Sequence, residues 1–185
     1  ATINETVERV EAMSVDLGLL ETHCNRNTLI AEPVGHDRAV VFAAPTHPLA
    51  RRGQVSMADL HDATWCLREN PSLTRAHLTM KLGGGGLDIR FVANTNEAIK
   101  AAVSAGLGLG FASTRVIARE VAAGDLVEIE ANAVALDRGF TLLAPKRVYQ
   151  GALPKAFADH LRAWLAAEHP RTEAVAEDTA VQAAL

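Results

Sequence analysis

The sequence lacks most of the features by which a function class announces itself. It holds two cysteines in 185 residues, Cys24 and Cys66, far apart in the chain. That spacing fits a reducing cytoplasm better than a disulfide framework. No apolar run approaches the roughly 18 to 20 residues needed to cross a bilayer. The first ten residues, Ala1 to Val10, are polar and acidic, unlike a secretory signal. There is no basic excess either: the formal net charge is -4 and the sequence pI is about 6.0. Lys and Arg are scattered, and the closest pairs, Arg51-Arg52 and Lys146-Arg147, are dipeptides rather than patches. A nucleic-acid surface spread over this chain is therefore not expected.

Catalytic and cofactor motifs are missing as well. His23-Cys24 and His36 lack the ligand spacing of a zinc site, so no metal is expected. Ser113-Thr114 follows a glycine-rich run but has no G-x-S-x-G elbow. Gly83-Gly84-Gly85-Gly86 is not followed by Lys-Ser or Lys-Thr, so it reads as a helix-to-strand connection and not a nucleotide loop. Gly106, Gly108 and Gly110 form a GxGxG run at a helix end and inside a strand. A dinucleotide fingerprint needs its glycines between a strand and the helix it feeds, so close backbone approach within a sheet is the better use. His47, between Pro45 and Pro48, reads as a turn residue, and His160 as a residue of a surface helix. Nothing here predicts an enzyme.

What remains is an α/β pattern in a chain that is 49% hydrophobic, enough for one large domain or two small lobes. Ala39 to Ala44 and Gly108 to Ala112 are continuous or nearly continuous apolar runs of strand length, suited to central strands covered on both faces. Val15 to Leu20, Trp65 to Arg68, Leu87 to Ala93, Leu126 to Ile129 and Phe140 to Ala144 are weaker strand signals, and mostly parallel pairing is expected. Helix starts are marked by the capping-box spacing of Thr2 and Glu5, and by Asn94 with Glu97. Ile3, Val7 and Val10 fall on one helical face, and Gly106 and Gly124 can stop helices in the left-handed conformation. Pro154 suits a first turn, and Phe157, Leu161, Trp164 and Leu165 form the apolar stripe of a closing helix. The tail, Arg171 to Leu185, has weak periodicity and carries no chemistry.

In open α/β sheets a ligand sits beyond the carboxyl ends of the strands, where helix N-termini present free N–H groups and partial positive charge. Thr2 and Asn4, Thr22, then Arg68, Ser72 and Thr74, and finally Asn94 and Thr95 occupy such places. Hydroxyls, amides and one arginine suit a small carboxylate or another oxyanion. For each Ser, Thr or Asn the competing role is a plain helix cap. Arg68 differs, because a charge at a strand end needs a partner.

Four stretches, in order and at consistent spacing to about Pro170, resemble the effector-binding domain of LysR-type transcriptional regulators. They are the Thr-capped helix leading to Val15-Asp-Leu-Gly-Leu-Leu20; Ala31 to Ala50, with its His-Pro-Leu-Ala turn; Val55 to Leu60 with Thr64 to Glu69; and Asn96 to Phe111 with Leu126 to Ile129. The resemblance implies a type 2 periplasmic-binding-protein-like architecture: two Rossmann-like α/β lobes joined by two crossing strands, with a small-molecule effector in the cleft between them. Lobe I would be residues 1–62 and 140–170, and lobe II 63–139. The hinge strands would lie near Val40 to Ala44 and Phe140 to Leu143. It also implies a cytoplasmic homodimer or homotetramer that meets DNA only through an N-terminal domain, with no membrane contact. Two departures stand out. The family's helix-turn-helix and linker helix are absent, and the chain starts where the second strand of the sensing domain would end, which suggests a fragment. A solute-binding protein of the same fold is the alternative, and an enzyme built on it a more distant one.

Overall fold

The computed structural model describes residues 2–146 and 151–168. The chain divides into two compact units, one of Ala1–His36 with Asp137–Leu185, the other of Asp37–Leu136. Both boundaries differ from the expected 62/63 and 139/140. The reason is packing: Val41, Leu49, Val55 and Leu60 share one buried cluster with Trp65, Leu67, Leu109 and Phe111, so residues 37–62 belong with the second unit. Of the expected hinge strands, Val40 to Ala44 accordingly falls within the second unit and Phe140 to Leu143 within the first. Residues 171–185, expected to be an inert tail, lie outside the described residues.

The first unit holds α1 (Ile3–Glu11), β1 (Gly18–Leu20), the start of β2 (Leu29–Ala43), most of β7 (Leu136–Pro145) and α6 (Ala152–Glu168). The capping box forms as its spacing predicts. The Thr2 hydroxyl accepts the Glu5 backbone N–H at 3.2 Å, and the Glu5 carboxylate accepts that of Thr2 at 3.3 Å. Val7 and Val10 then pack against Leu20, Leu29 and Leu143. β1 runs antiparallel to β7, with Gly18 opposite Leu143. The α6 stripe splits: Leu165 is buried, as is Ala158, while Phe157 and Trp164 stay 55% and 47% exposed.

In the second unit the rest of β2 is followed by α2 (Met57–His61), β3 (Thr64–Arg68), α3 (Leu73–Lys81), β4 (Asp88–Ala93), α4 (Asn96–Ser104), β5 (Leu109–Ser113), α5 (Thr114–Ala123) and β6 (Val127–Glu128). The strand order is β2-β5-β3-β4, with β6 also on β2. Mostly parallel pairing was expected; among the described residues β3 pairs in parallel with β4 and with β5. β2 runs antiparallel to both β5 and β6, and β1 to β7. Helical crossovers enforce parallel strands only for β3, β4 and β5; β2 enters from the other unit and is free of that constraint.

Side-chain alternation along β3 divides the core of this unit. Trp65 and Leu67 join Leu78 and Leu82 on the α3 face, while Cys66 joins Ile99, Val103 and Ile117 on the face of α4 and α5. Trp65 is fully buried and its indole N–H donates to the Leu60 carbonyl at 3.0 Å. Glycine at 108 and 110 serves close approach, as read from the sequence. A Cβ at Gly108 would overlap the Thr64 carbonyl, and one at Gly110 the Phe42 ring.

His47 is a turn residue, as expected. Its Nδ1 accepts the Leu49 backbone N–H at 3.2 Å and caps a short 3-10 helix, Pro48–Arg51. Burial lowers its pKa from the ordinary 6.5. A depressed histidine contributes stability that is complete above pH 6.5 and is lost as the pH falls from there through the lowered folded-state value. The urea midpoint should therefore fall between pH 7.5 and pH 5. His47→Asn, which can cap without titrating, should flatten that part of the profile; an unchanged slope would show that other groups set it.

Candidate functional site

Because β3 runs parallel to β4 and β5, their carboxyl ends lie on one edge of the second unit. Arg68 pairs with Ala93 there, and Cys66 pairs with Gly110, which carries Arg68 and Ser113 to the same edge. The helix after β3 goes to one face, and those after β4 and β5 go to the other. β3 is thus flanked on both sides by strands whose connections diverge from its own, the topology that opens a crevice at strand ends.

Three helices begin at this edge. The Ser72 hydroxyl accepts the Arg75 backbone N–H at 3.3 Å to cap α3; Thr95 accepts that of Ala98 at 3.2 Å to cap α4; Ser113 accepts that of Arg115 at 3.1 Å to cap α5. Their electrostatics differ. At α5 an anion is built in. The Asp37 carboxylate, 3% exposed, accepts the Ser113 Oγ–H at 2.6 Å and lies 4.0 Å from Arg115 Nε. The positive end of that helix meets a buried negative charge.

At α3 and α4 the opposite holds. Arg68 Nη1 donates to Asn96 Oδ1 at 3.3 Å on the first residue of α4, while Arg75 Nη1, in the first turn of α3, donates to the Arg68 carbonyl at 3.0 Å. Arg68 Nε is buried and has no hydrogen-bond partner. Among the described residues no carboxylate pairs with either guanidinium; each meets only a neutral oxygen. Two half-buried guanidinium groups and the N-terminus of α3, which has no acid in its first turn, therefore put positive charge at this edge; in the first turn of α4 the one acid, Glu97, pairs with Lys100.

Of the residues expected from the sequence, Arg68, Ser72, Thr74, Asn94 and Thr95 all lie in this unit, while Thr2, Asn4 and Thr22 belong to the other. Thr74 is half-buried in the first turn of α3. As the start of α4, Asn94 gives way to Thr95: it is an exposed bend residue one position before the cap, and Thr95 holds the capping role. In the first unit the Thr2 hydroxyl is committed to its capping box, Asn4 is exposed on α1, and Thr22 is half-buried in the bend after β1. Arg75, Asn96, Asp37 and Ser113 were not singled out as site residues. Arg75 carried a usable signal, since a basic residue three positions after a Ser cap stands where a capping box would place an acid.

A second polar cluster, beyond this edge, ties α4 to α5. Lys100 Nζ, nearly buried, donates to Glu120 Oε1 at 2.7 Å and to the Val116 carbonyl at 3.2 Å, and lies 3.0 Å from Glu97 Oε1. Burial works against its charge, but the two carboxylates outweigh it and leave the pKa above the ordinary 10.5. Each charge here has a partner, so this cluster is a fastener that holds α4 in place.

An α/β unit with such an edge is an architecture in which a small ligand can bind at the strand ends. The chain belongs to the LysR substrate binding domain family, whose model matches residues 1–166. It is 35% identical over 136 residues to the HTH-type transcriptional regulator CysL of Bacillus subtilis, a match that covers 72% of this chain and 46% of that protein. The chain thus spans about half the length of the curated relatives it matches. The Synechocystis CcmR regulatory domain in complex with 2-PG superposes with a TM-score of 0.73 at 23% identity, covering 87% of this chain and 78% of that one. The effector binding domain of QuiR in complex with shikimate gives 0.67 at 18% identity, covering 89% and 78%. At these identities the two structures establish the shared mixed α/β, periplasmic-binding-protein-like fold.

Proposed function

We propose that this effector-binding domain senses a small anion, a carboxylate or another oxyanion, for a cytoplasmic, oligomeric DNA-binding regulator of the LysR type. One observation carries the choice of charge: Arg68 and Arg75 meet no carboxylate beside the N-termini of α3 and α4, whereas the equivalent place at α5 is filled by Asp37. Arg68 would contact the anion, the caps Ser72 and Thr95 would present free backbone N–H groups, and Thr74 would add a hydroxyl. Shikimate, the ligand of the QuiR domain, is itself a carboxylate. The role is regulatory and not catalytic. Binding would shift the population of two conformations of the sensing domain and, in the whole regulator, its geometry on DNA.

The experiment is a thermal-shift series of small carboxylates and phosphates, each paired with a neutral analogue, at low and high salt. A true effector at about one hundred times its Kd adds about 2.7 kcal/mol of stability. The expected outcome is stabilisation by anions only, weakened by salt. Equal stabilisation by neutral analogues would overturn the choice of an anion.

A further inference from the structure

We propose that Asn96 is a positioning residue that keeps the charge of Arg68 available to the effector, and that an amide instead of a carboxylate at this place lets the site take an anion. This deepens the anion reading above and rests on it. Asn96 is the first residue of α4, and its Oδ1 accepts from Arg68 Nη1 at 3.3 Å. Its side chain is not needed as a cap, because Thr95 already accepts the Ala98 N–H. Two local forces favour an acid here: the positive end of α4 and a half-buried arginine within hydrogen-bond reach. The neighbouring Glu97 shows that acids are accepted in this turn, where it meets Lys100 at 3.0 Å.

An amide at 96 gives up both stabilisations, a local inconsistency of the kind found at working sites. In exchange, one guanidinium N–H is fixed without any of its charge being cancelled. The Arg75 bond to the Arg68 carbonyl fixes the other end of the same residue at 3.0 Å. Arg68 is therefore held at both ends, its guanidinium by the neutral Asn96 oxygen and its backbone carbonyl by the Arg75 guanidinium, with Nε left without a partner. An aspartate at 96 would hold the same guanidinium and cancel it, so the internal carboxylate would compete with the effector for Arg68.

The test compares the 185-residue chain with Asn96→Asp, Asn96→Ser, Asn96→Ala and Arg68→Ala, using inorganic phosphate as the probe in calorimetric titration. Asn96→Asp should melt higher than the parent without ligand, which removes misfolding as an explanation, yet bind phosphate about tenfold or more weakly. Asn96→Ser, which keeps a neutral acceptor, should stay within about threefold of the parent, with Asn96→Ala in between. The Arg68 Nε–H resonance should move on phosphate addition in the parent and in Asn96→Ser, but not in Asn96→Asp. If Arg68→Ala loses phosphate while Asn96→Asp binds as the parent does, the role of Asn96 is overturned and the anion reading stands. If the parent itself does not bind phosphate and Arg68→Ala is indistinguishable from it, the anion reading fails, and the role of Asn96 with it.

Discussion

Gly110→Val should destabilise the chain by about 3 kcal/mol or more, the upper range for an overpacked core. Gly110 lies in β5 between β2 and β3, opposite Phe42 on one side and Cys66 on the other. The Phe42 ring is fully buried and fills the space a Cβ at 110 would need. Neither neighbour can yield cheaply: Phe42 is packed among Val40, Ile99, Val103 and Ile117, and the backbone is held by strands on both sides. Urea denaturation would show a lower midpoint with an unchanged slope if the fold persists. Gly53→Ala, where a Cβ meets open space, should stay within about 0.5 kcal/mol of the parent. Combining Gly110→Val with Phe42→Ala should recover part of the loss, since the two changes share one volume. Additive effects would show that the ring is not the obstacle. The consequence reaches the site, because β5 carries Ser113 and with it the start of α5.

What was legible in the sequence was local. The Thr2 cap needs only Glu5 three residues on, Gly108 and Gly110 need only their place in an apolar run at β5, and both read correctly. What failed depended on partners distant in the chain. β2 pairs with β5 across some seventy residues, and nothing in its own composition shows that it runs antiparallel. The unit boundary at His36/Asp37 falls inside that same uninterrupted strand, with no turn or linker to mark it. On α6, periodicity located an apolar face but not how much of it is covered. The site divides the same way. Arg68, Ser72 and Thr95 could be read as candidates because strand ends and caps have local signatures, whereas Asn96 meets Arg68 through a bond that spans 28 positions. The opposition between α5, with its internal anion, and α3 and α4, with arginines, exists only once the sheet has brought the three helix starts to one edge.

Arg68→Glu should weaken binding of the anionic effector by about a hundredfold or more, the effect of reversing a charge that an anion needs in a desolvated place. The same change should not weaken the empty protein. Arg68 opposes the dipole of α4, the Arg75 guanidinium is bound at its backbone carbonyl, and its Nε is buried without a partner. A glutamate there would meet both the helix N-terminus and Arg75 favourably, so the ligand-free melting temperature should stay level or rise, by an amount equivalent to roughly 0.3–1 kcal/mol. Calorimetric titration alongside thermal melts separates the two effects, and salt supplies a further check. Parent affinity should fall as ionic strength rises, while the residual affinity of Arg68→Glu should lose that dependence. A glutamate form that is clearly less stable when empty would make Arg68 a structural ion and remove the reason for assigning it to the effector. A form that is stable when empty and blind to anions would show that the positive charge at this edge is kept at the expense of stability, because a ligand completes it.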